Sequence, residues 1–270
     1  MKKLKFFSLL AGFVLGACFF AACGDDDEDS PKVPGAEEAT VDNLVGTWET
    51  ASPNWTITYV FTKTKLTISY EDNGATRVSY EGEYSVQDGY ITWTDGEYTS
   101  RLKPGLLLNK SVLVLKYVET DGDGVEEYEE LAEILFKKGK SINTTASDIY
   151  GEWHWYMHGN KEYIRVGWKF EGNKFELVIT PWGEKYTGTY TYTDGLLHLN
   201  TTAGYTSREE GTGNGWGEGD LDPSTLEGTW RTLDKGNWHI DAADKGPFIA
   251  NGDEAYGNVA NLNCIYYKKK

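Results

Sequence analysis

Short segments in which apolar and polar residues alternate dominate the chain after its first forty residues. From Trp55 to Phe61 every second residue is apolar or aromatic, which is the period of a strand with one buried face. Turn signals separate such segments, and Asp72-Asn73-Gly74, Asp88-Gly89 and Asp95-Gly96 have the residues that tight hairpins require. The pattern predicts an all-β protein made of antiparallel up-and-down meanders that close into β-barrels.

The glutamate-rich segment from Glu126 to Leu135 is the one place where the pattern resembles a helix. No sustained helical period supports that interpretation. The corresponding segment near the end of the chain, Leu262 to Tyr267, has the pattern of a strand. We therefore predict a strand at both places.

Five short motifs occur twice in the same order, which indicates a tandem duplication. The pairs are Leu44-Val45-Gly46-Thr47-Trp48 with Ile149-Tyr150-Gly151-Glu152-Trp153, Phe61 and Lys65 to Ile68 with Phe170 and Lys174 to Leu177, Gly82 to Gly89 with Gly188 to Gly195, Tyr98 to Arg101 with Tyr205 to Arg208, and Ile134 to Lys138 with Ile265 to Lys269. We predict a first barrel over residues 41–139, a linker over 140–147 and a second barrel over 148–270. The second copy is longer than the first. A segment rich in glycine and acids, Glu209 to Asp222, accounts for the extra length and is predicted to be an inserted loop.

The N-terminus has the pattern of a signal peptide. Three lysines precede an uncharged apolar run from Phe6 to Phe20, which is short for a membrane span and is followed at once by acids. The segment Phe20-Ala21-Ala22-Cys23 resembles the lipobox of bacterial lipoproteins, and this resemblance implies that Cys23 is lipidated and that residues 1–22 are removed. Leu15-Gly16-Ala17-Cys18 fits the same pattern, but cleavage there would leave Phe19-Phe20-Ala21-Ala22 on the mature chain, so Cys23 is preferred.

An acidic run, Asp25-Asp26-Asp27-Glu28-Asp29, follows the predicted anchor. Residues 23–40 are predicted to be a flexible tether, because like charges repel and Pro31, Pro34 and Gly35 oppose regular structure. The run also resembles that of Bacteroidetes surface lipoproteins, which implies a place in the outer membrane at the cell surface. The sequence leaves open whether the run is only a spacer or also such a signal, and which leaflet is occupied.

The net charge and the cysteine content exclude two further possibilities, a nucleic-acid partner and an intrachain disulfide. The chain has 26 basic and 42 acidic residues and a net charge of −16, which argues against nucleic acid as a partner. Once Cys18 is removed and Cys23 is lipidated, Cys264 has no cysteine left to pair with. It is predicted to be a small apolar filler and not a nucleophile.

The repeated Gly-x-Trp motif, Gly46-Thr47-Trp48 and Gly151-Glu152-Trp153, with a following meander of about eight strands, resembles the lipocalin-like domains of Bacteroidetes lipoproteins. That resemblance implies a tryptophan that closes the barrel floor and a basic residue near the end of the last strand that lies across it. Lys137 or Lys138, and Lys268 or Lys269, are the candidates. Each copy is shorter than a lipocalin and lacks the later Thr-Asp-Tyr signature, so a filled barrel and an open cup are alternatives.

Four tryptophans near turns of the second copy are the candidate ligand-binding residues: Trp182, Trp216, Trp230 and Trp238. An exposed indole face can stack on the C–H face of a sugar while neighbouring acids and amides bind the hydroxyl groups. The alternative is that these rings belong to an aromatic core.

The sequence offers little evidence for a metal, a cofactor or catalysis, and we predict none of the three. His154 and His158 would stand about 13 Å apart along a strand, too far to share one ion, and His198 and His239 are isolated in sequence. Asp121-Gly122-Asp123-Gly124 resembles the start of a calcium loop but fits a hairpin better. No known nucleophile setting or nucleotide-binding loop is present.

These observations together favour a noncatalytic cell-envelope lipoprotein, held on the membrane by its lipid anchor, that binds a ligand or partner, with a glycan preferred. The alternatives are a carrier of a small apolar ligand in a barrel cavity, a structural accessory of an envelope complex and, last, a glycan-active enzyme. The ligand and the oligomeric state are left open.

Overall fold

The computed structural model describes residues 33, 35–50, 55–72, 74–96, 98–121, 124–157, 160–207, 230–260 and 262–270. Within these residues the chain is all-β and forms two antiparallel barrels in tandem, each closed by eight strands. The predicted fold class is confirmed. None of the helices in these ranges combines the length and the apolar character that spanning a bilayer would need.

The first barrel is a meander in which consecutive strands are neighbours, and β1 pairs with both β2 and β8 to close it. Its strands are β1 (Gly46–Glu49), β2 (Trp55–Phe61), β3 (Lys65–Asp72), β4 (Ala75–Gln87), β5 (Tyr90–Asp95), β6 (Tyr98–Leu107), β7 (Val112–Asp121) and β8 (Gly124–Lys137). The three predicted hairpins are confirmed, because Asp72 faces Ala75, Gln87 faces Tyr90 and Asp95 faces Tyr98.

The segment that resembled a helix lies in β8, as predicted. Asp121 at the end of β7 pairs with Gly124 at the start of β8, which is the pairing expected of a hairpin between these strands.

The second barrel repeats the meander and adds one short strand. Its strands are β9 (Gly151–Met157), β10 (Asn160–Glu171), β11 (Lys174–Ile179), β12 (Glu184–Thr193), β13 (Leu196–Thr206), β14 (Arg231–Leu233), β15 (Lys245–Asn251), β16 (Glu254–Val259) and β17 (Leu262–Lys268). β13 pairs with both β12 and β15, and β17 pairs with β9, which closes the ring of eight. β14 pairs with the last residues of β13.

A single helical turn precedes the first strand of each barrel: helix α1 (Val41–Leu44) in the first copy and a 3-10 turn, Ala146–Ile149, in the second. Both turns are fixed by a side chain that accepts a hydrogen bond from the residue before the turn. Oδ1 of Asn43 accepts from the backbone N–H of Thr40 at 2.7 Å, and Oδ2 of Asp148 accepts from that of Thr145 at 2.6 Å. Further 3-10 turns are Thr180–Trp182 and Lys235–Asn237.

Aromatic side chains fill the interior of the second barrel. Trp168 stacks on Phe170 with ring centres 5.5 Å apart, and Phe248 contacts both rings edge to face. Cys264 is buried in the same core, which fits its predicted role as a filler. Burial of rings of this size is the main stabilising contribution available to such a barrel.

The outer faces of the two barrels meet through an apolar cluster that includes Val112 and Ile134 of the first barrel and Ile249 and Ile265 of the second. An ion pair also lies in this interface, where Nζ of Lys116 is 3.6 Å from Oε2 of Glu254. The hydroxyl group of Tyr256 donates to the same oxygen at 2.5 Å. The two barrels therefore pack directly against each other.

One of the five repeated motifs does not mark equivalent positions. Tyr98 begins β6, the sixth strand of the first barrel, whereas Tyr205 lies near the end of β13, the fifth strand of the second. The match in sequence there reflects the similar composition of a strand start and a strand end and not a shared place in the fold. The other four motifs fall on equivalent strands or on the turns between them.

Candidate functional site

The Gly-x-Trp motifs close the same end of both barrels. We call this end, at Trp48 in the first barrel and Trp153 in the second, the floor. Trp48 and Trp153 are fully buried, and each indole N–H donates to a carbonyl of the preceding turn, Leu44 at 2.7 Å and Ile149 at 2.8 Å. The glycine of each motif has a positive φ, +136° at Gly46 and +114° at Gly151.

A lysine lies across each floor tryptophan, at the positions that the resemblance to lipocalin-like domains implies. Nζ of Lys137 is 4.9 Å from the ring centre of Trp48, and Nζ of Lys268 is 5.1 Å from that of Trp153. Burial lowers the pKa of Lys137, with smaller effects of Lys140 and Lys110. The neighbouring lysines face outward, and Lys138 binds Glu49 at 2.9 Å while Lys269 binds Glu152 at 2.7 Å.

The strand registers place three of the four candidate tryptophans at the opposite end of the second barrel, which we call the mouth. β11 runs from Lys174 near the floor to Ile179 at the mouth, and β12 returns from Glu184, which faces Thr206 at the end of β13. Trp182 lies in the turn between β11 and β12, Trp230 precedes β14, and Trp238 follows the 3-10 turn after it. All three rings are partly buried.

Trp182 rests on a histidine held by a buried carboxylate. Its ring centre is 5.2 Å from that of His239, and Nδ1 of His239 is 2.7 Å from Oε1 of Glu184. The side chain of Glu184 is only 6% exposed, whereas that of His239 is 40% exposed. The carboxylate fixes the imidazole, and the imidazole supports the indole.

Tyr186 completes this network from inside the barrel. Its hydroxyl group donates to Oε2 of Glu184 and accepts from the backbone N–H of His239 at 3.0 Å. Burial and the hydrogen bond to Glu184 raise the pKa of Tyr186, so the phenol stays protonated and keeps donating.

Trp238 lies at the mouth beside this network. Its ring packs over Gly204, where an added Cβ would lie 2.5 Å from the indole Nε1, and it meets Tyr186 edge to face at 5.9 Å. The indole N–H donates to the carbonyl of Leu233 at 3.0 Å. Because the ring is held on both sides, Trp238 forms a fixed wall at the mouth.

Trp230 contacts a second polar group, the ammonium group of Lys185, on the outer side of β12. Nζ of Lys185 is 4.8 Å from the centre of the Trp230 ring and 5.3 Å from that of Tyr205. Trp216 and the predicted insertion, Glu209 to Asp222, lie outside the described residues. The insertion starts after Ser207, whose N–H and hydroxyl groups both donate to the carbonyl of Gly183 at 2.9 and 3.1 Å. Ser207, the last described residue before the insertion, therefore lies at the mouth.

The remaining candidate residues are dispersed. His154 is buried and contacts Tyr156, while His198 is partly buried on β13. His158 and Cys23 lie outside the described residues. Across the described ranges, no three histidine, cysteine or acidic side chains come together as a metal site would require.

Sequence reasoning missed the roles of Glu184, Tyr186 and His239. Glu184 and His239 are 55 residues apart, and only the return of the chain after β14 brings them together. The one available signal was that His239 directly follows a candidate tryptophan, Trp238.

Comparisons with protein-family models, curated proteins and solved structures find no match to this chain.

Proposed function

We propose that this protein is a noncatalytic, lipid-anchored lipoprotein of the cell envelope, and that the mouth of its second barrel binds a carbohydrate. The acylated residue is Cys23, and the acidic segment after it holds the barrels away from the membrane. The family is that of lipocalin-like lipoproteins. The repeated floor, with a lysine across each tryptophan, supports this assignment.

The observation that carries the ligand proposal is the contact between the rings of Trp182 and His239. A sugar is bound by a flat apolar ring held rigidly beside groups that form hydrogen bonds. Trp182 supplies a partly exposed ring, and the contact with Glu184 keeps His239 in place behind it. Trp230 with Lys185 extends the same combination of ring and polar group along the outer side of the mouth.

The packed interior favours this site over a cavity inside the second barrel. Trp168, Phe170 and Phe248 occupy the space where a lipocalin would hold an apolar ligand. A carrier of small apolar ligands would have to displace these rings. The support for binding at the mouth is accordingly stronger than for the carrier alternative.

A glycan array tests the proposal with a soluble fragment, residues 24–270. The matched variants are Trp182→Ala at the candidate site, Trp216→Ala in the predicted insertion, and Tyr150→Ala, an exposed ring that is 41% accessible at the floor end. We expect the unaltered fragment and Tyr150→Ala to bind the same glycans, and the two tryptophan variants to lose most of that signal. No binding by the unaltered fragment, or equal binding by all variants, would refute carbohydrate recognition at the mouth. Native mass spectrometry of the same fragment distinguishes the carrier alternative from the carbohydrate proposal. A carrier would show a copurifying lipid, and a carbohydrate-binding protein would show none.

A further inference from the structure

A cleft opens in the wall of the first barrel where β4 and β5 stop pairing. The two strands are in register from Tyr84 opposite Trp93 to Gln87 opposite Tyr90. Beyond Tyr84, the described residues of β4 pair with β3 alone, and those of β5 pair with β6. A cleft of about 490 Å³ lies between the two strands at this point, lined by residues 80–85 and 92–95.

Three aromatic side chains form the inner part of this cleft. Tyr80 and Trp93 are buried with ring centres 6.1 Å apart, and Tyr84 is partly buried on the strand beside them. Both tyrosines are fixed by hydrogen bonds from their hydroxyl groups, Tyr80 to the carbonyl of Glu83 at 2.7 Å and Tyr84 to that of Thr62 at 2.8 Å. The aromatic part of the cleft is thus preorganised.

Three carboxylates lie along the edge of the same cleft: Glu81, Glu83 and Asp95. All three residues are exposed. The pKa of Tyr80 is raised by burial and, in addition, by the negative charges of Asp95 and Glu83. The charges at the edge therefore act on the inner part of the cleft. Lys65 on β3 stands opposite Glu83 in register.

The second barrel shows what the same position looks like without a cleft. There β12 and β13 pair along their whole length, from Glu184 opposite Thr206 to Thr193 opposite Leu196. At Gly188, the counterpart of Gly82, an added Cβ would lie 2.2 Å from the carbonyl oxygen of Asn200, so the strands are in close contact. The counterparts of Glu81, Glu83, Asp95 and Trp93 are Thr187, Thr189, Thr201 and Leu199. The opening, the acids and the inner tryptophan therefore occur together in the first copy and are all missing from these positions of the second.

From this combination we infer that the cleft between β4 and β5 binds an organic cation, an alkylammonium or guanidinium group. Aromatic faces attract such a cation through the ring quadrupole, and carboxylates at the edge bind its N–H groups or its charge. A neutral ligand would leave the charge of the three carboxylates uncompensated, and a metal ion would gain little from the three rings. The cation can be a free amine or the side chain of a lysine or arginine in a partner, since both present the same group. This site is separate from the mouth of the second barrel and does not depend on the function proposed there.

Titration followed by NMR tests the inference on residues 24–270 labelled with 15N. The indole N–H signal of Trp93, assigned with Trp93→Phe, reports on the cleft. The probes are tetramethylammonium, spermidine and the peptide acetyl-Gly-Lys-Gly-amide, and the uncharged comparison is tert-butanol. We expect saturable shifts of the Trp93 signal with the cations and none with tert-butanol. Tighter binding of spermidine would identify a free amine as the ligand class, and tighter binding of the peptide would identify a partner's basic side chain.

A charge-matched pair of triple variants separates the cleft from the general acidity of the protein. One carries Glu81→Gln, Glu83→Gln and Asp95→Asn, and the other carries Glu71→Gln, Asp88→Asn and Glu171→Gln, three exposed acids elsewhere. Exposed carboxylates are replaced by amides in both, so both retain the fold. We expect the first triple to weaken cation binding about tenfold or more and the second to leave it nearly unchanged. Equal weakening in both triples, or equal shifts with tert-butanol, would overturn the inference.

Discussion

Tyr59 donates its hydroxyl hydrogen to Oε2 of Glu133 at 2.5 Å inside the first barrel. Glu133 is buried, and its desolvation raises the pKa of the carboxyl group to about 7, although the hydrogen bond from Tyr59 acts in the opposite direction. The carboxyl group therefore changes its charge near neutral pH. This property was invisible in the sequence, because the two residues are 74 positions apart.

The pH dependence of stability follows from this raised pKa. Below the ordinary pKa of 4.5 both the folded and the unfolded states hold the proton. Between that value and about 7 the unfolded chain has released the proton while the folded barrel keeps it, so the free energy of unfolding falls as the pH rises. The loss is complete above the folded pKa and amounts to at most about 3 kcal/mol.

Glu133→Gln tests this dependence, because glutamine can still accept the hydrogen bond from Tyr59 but cannot ionise. We expect the variant to match the unaltered protein in urea unfolding at pH 4 and to be the more stable of the two at pH 8. The difference between the two proteins is the relevant quantity, since other groups titrate equally in both. A difference that stays constant between pH 4 and pH 8 would show that Glu133 does not titrate in this range.

The floor glycines provide a test of the repeated architecture. Gly46→Ala and Gly151→Ala both place a Cβ on a residue with positive φ, which we expect to cost about 1–3 kcal/mol in each barrel. The loss should be larger at Gly46, because its Cβ would lie 3.2 Å from Cε of Lys137, compared with 3.6 Å from Lys268 at Gly151. Chemical denaturation of both variants measures the two losses. Full stability in either variant would contradict the strained backbone at that floor.

A second pair of glycines tests the difference between the two barrels. At Gly188 the added Cβ would meet backbone of the neighbouring strand, which cannot move aside, so Gly188→Ala should cost about 3 kcal/mol or more. At Gly82 the nearest atom is the hydroxyl oxygen of Tyr80 at 2.5 Å, the end of a side chain that borders the cleft. We expect Gly82→Ala to cost about 1 kcal/mol. Equal costs in thermal unfolding would mean that β4 and β5 are as closely packed as β12 and β13.

Much of the fold was predictable because its signals are local. The Asp-Gly turns fix the hairpins of the first barrel, and the two Gly-x-Trp motifs mark the start of each barrel because a glycine and a buried ring are needed there. Trp182, Trp230 and Trp238 could be selected from the sequence because they lie near turns, and the structure brings them to one end.

The pairings inside the site were not predictable, because they join residues that are distant along the chain. Glu184 meets His239 only after β14 has returned to the mouth. The cleft between β4 and β5 depends on where two strands stop pairing, and hydrophobic periodicity does not report that point. The wrong match of Tyr98 with Tyr205 has a similar cause, since a motif of four residues cannot distinguish the end of one strand from the start of the next.

The anchor is tested by substitution of the two candidate cysteines in the full chain. Cys23→Ala should abolish labelling with an alkyne-tagged fatty acid and release the protein from membranes, because the acyl chains supply the attachment. Cys18→Ala is the matched control and should change neither property, since that residue is predicted to leave with the signal peptide. Labelling that depends on Cys18 and survives the loss of Cys23 would move the cleavage site to the earlier cysteine.

The ten tryptophans of the chain allow the most direct test of where a ligand binds. The indole N–H signals of the 15N-labelled fragment, residues 24–270, can be followed while a glycan selected on the array is added. We predict that the signals of Trp182 and Trp230 shift with a common saturation curve, while those of the buried Trp48, Trp153 and Trp168 stay in place. Shifts confined to Trp168 and Trp155, inside the barrel, or no shift at the mouth at saturating glycan, would contradict binding at the mouth of the second barrel.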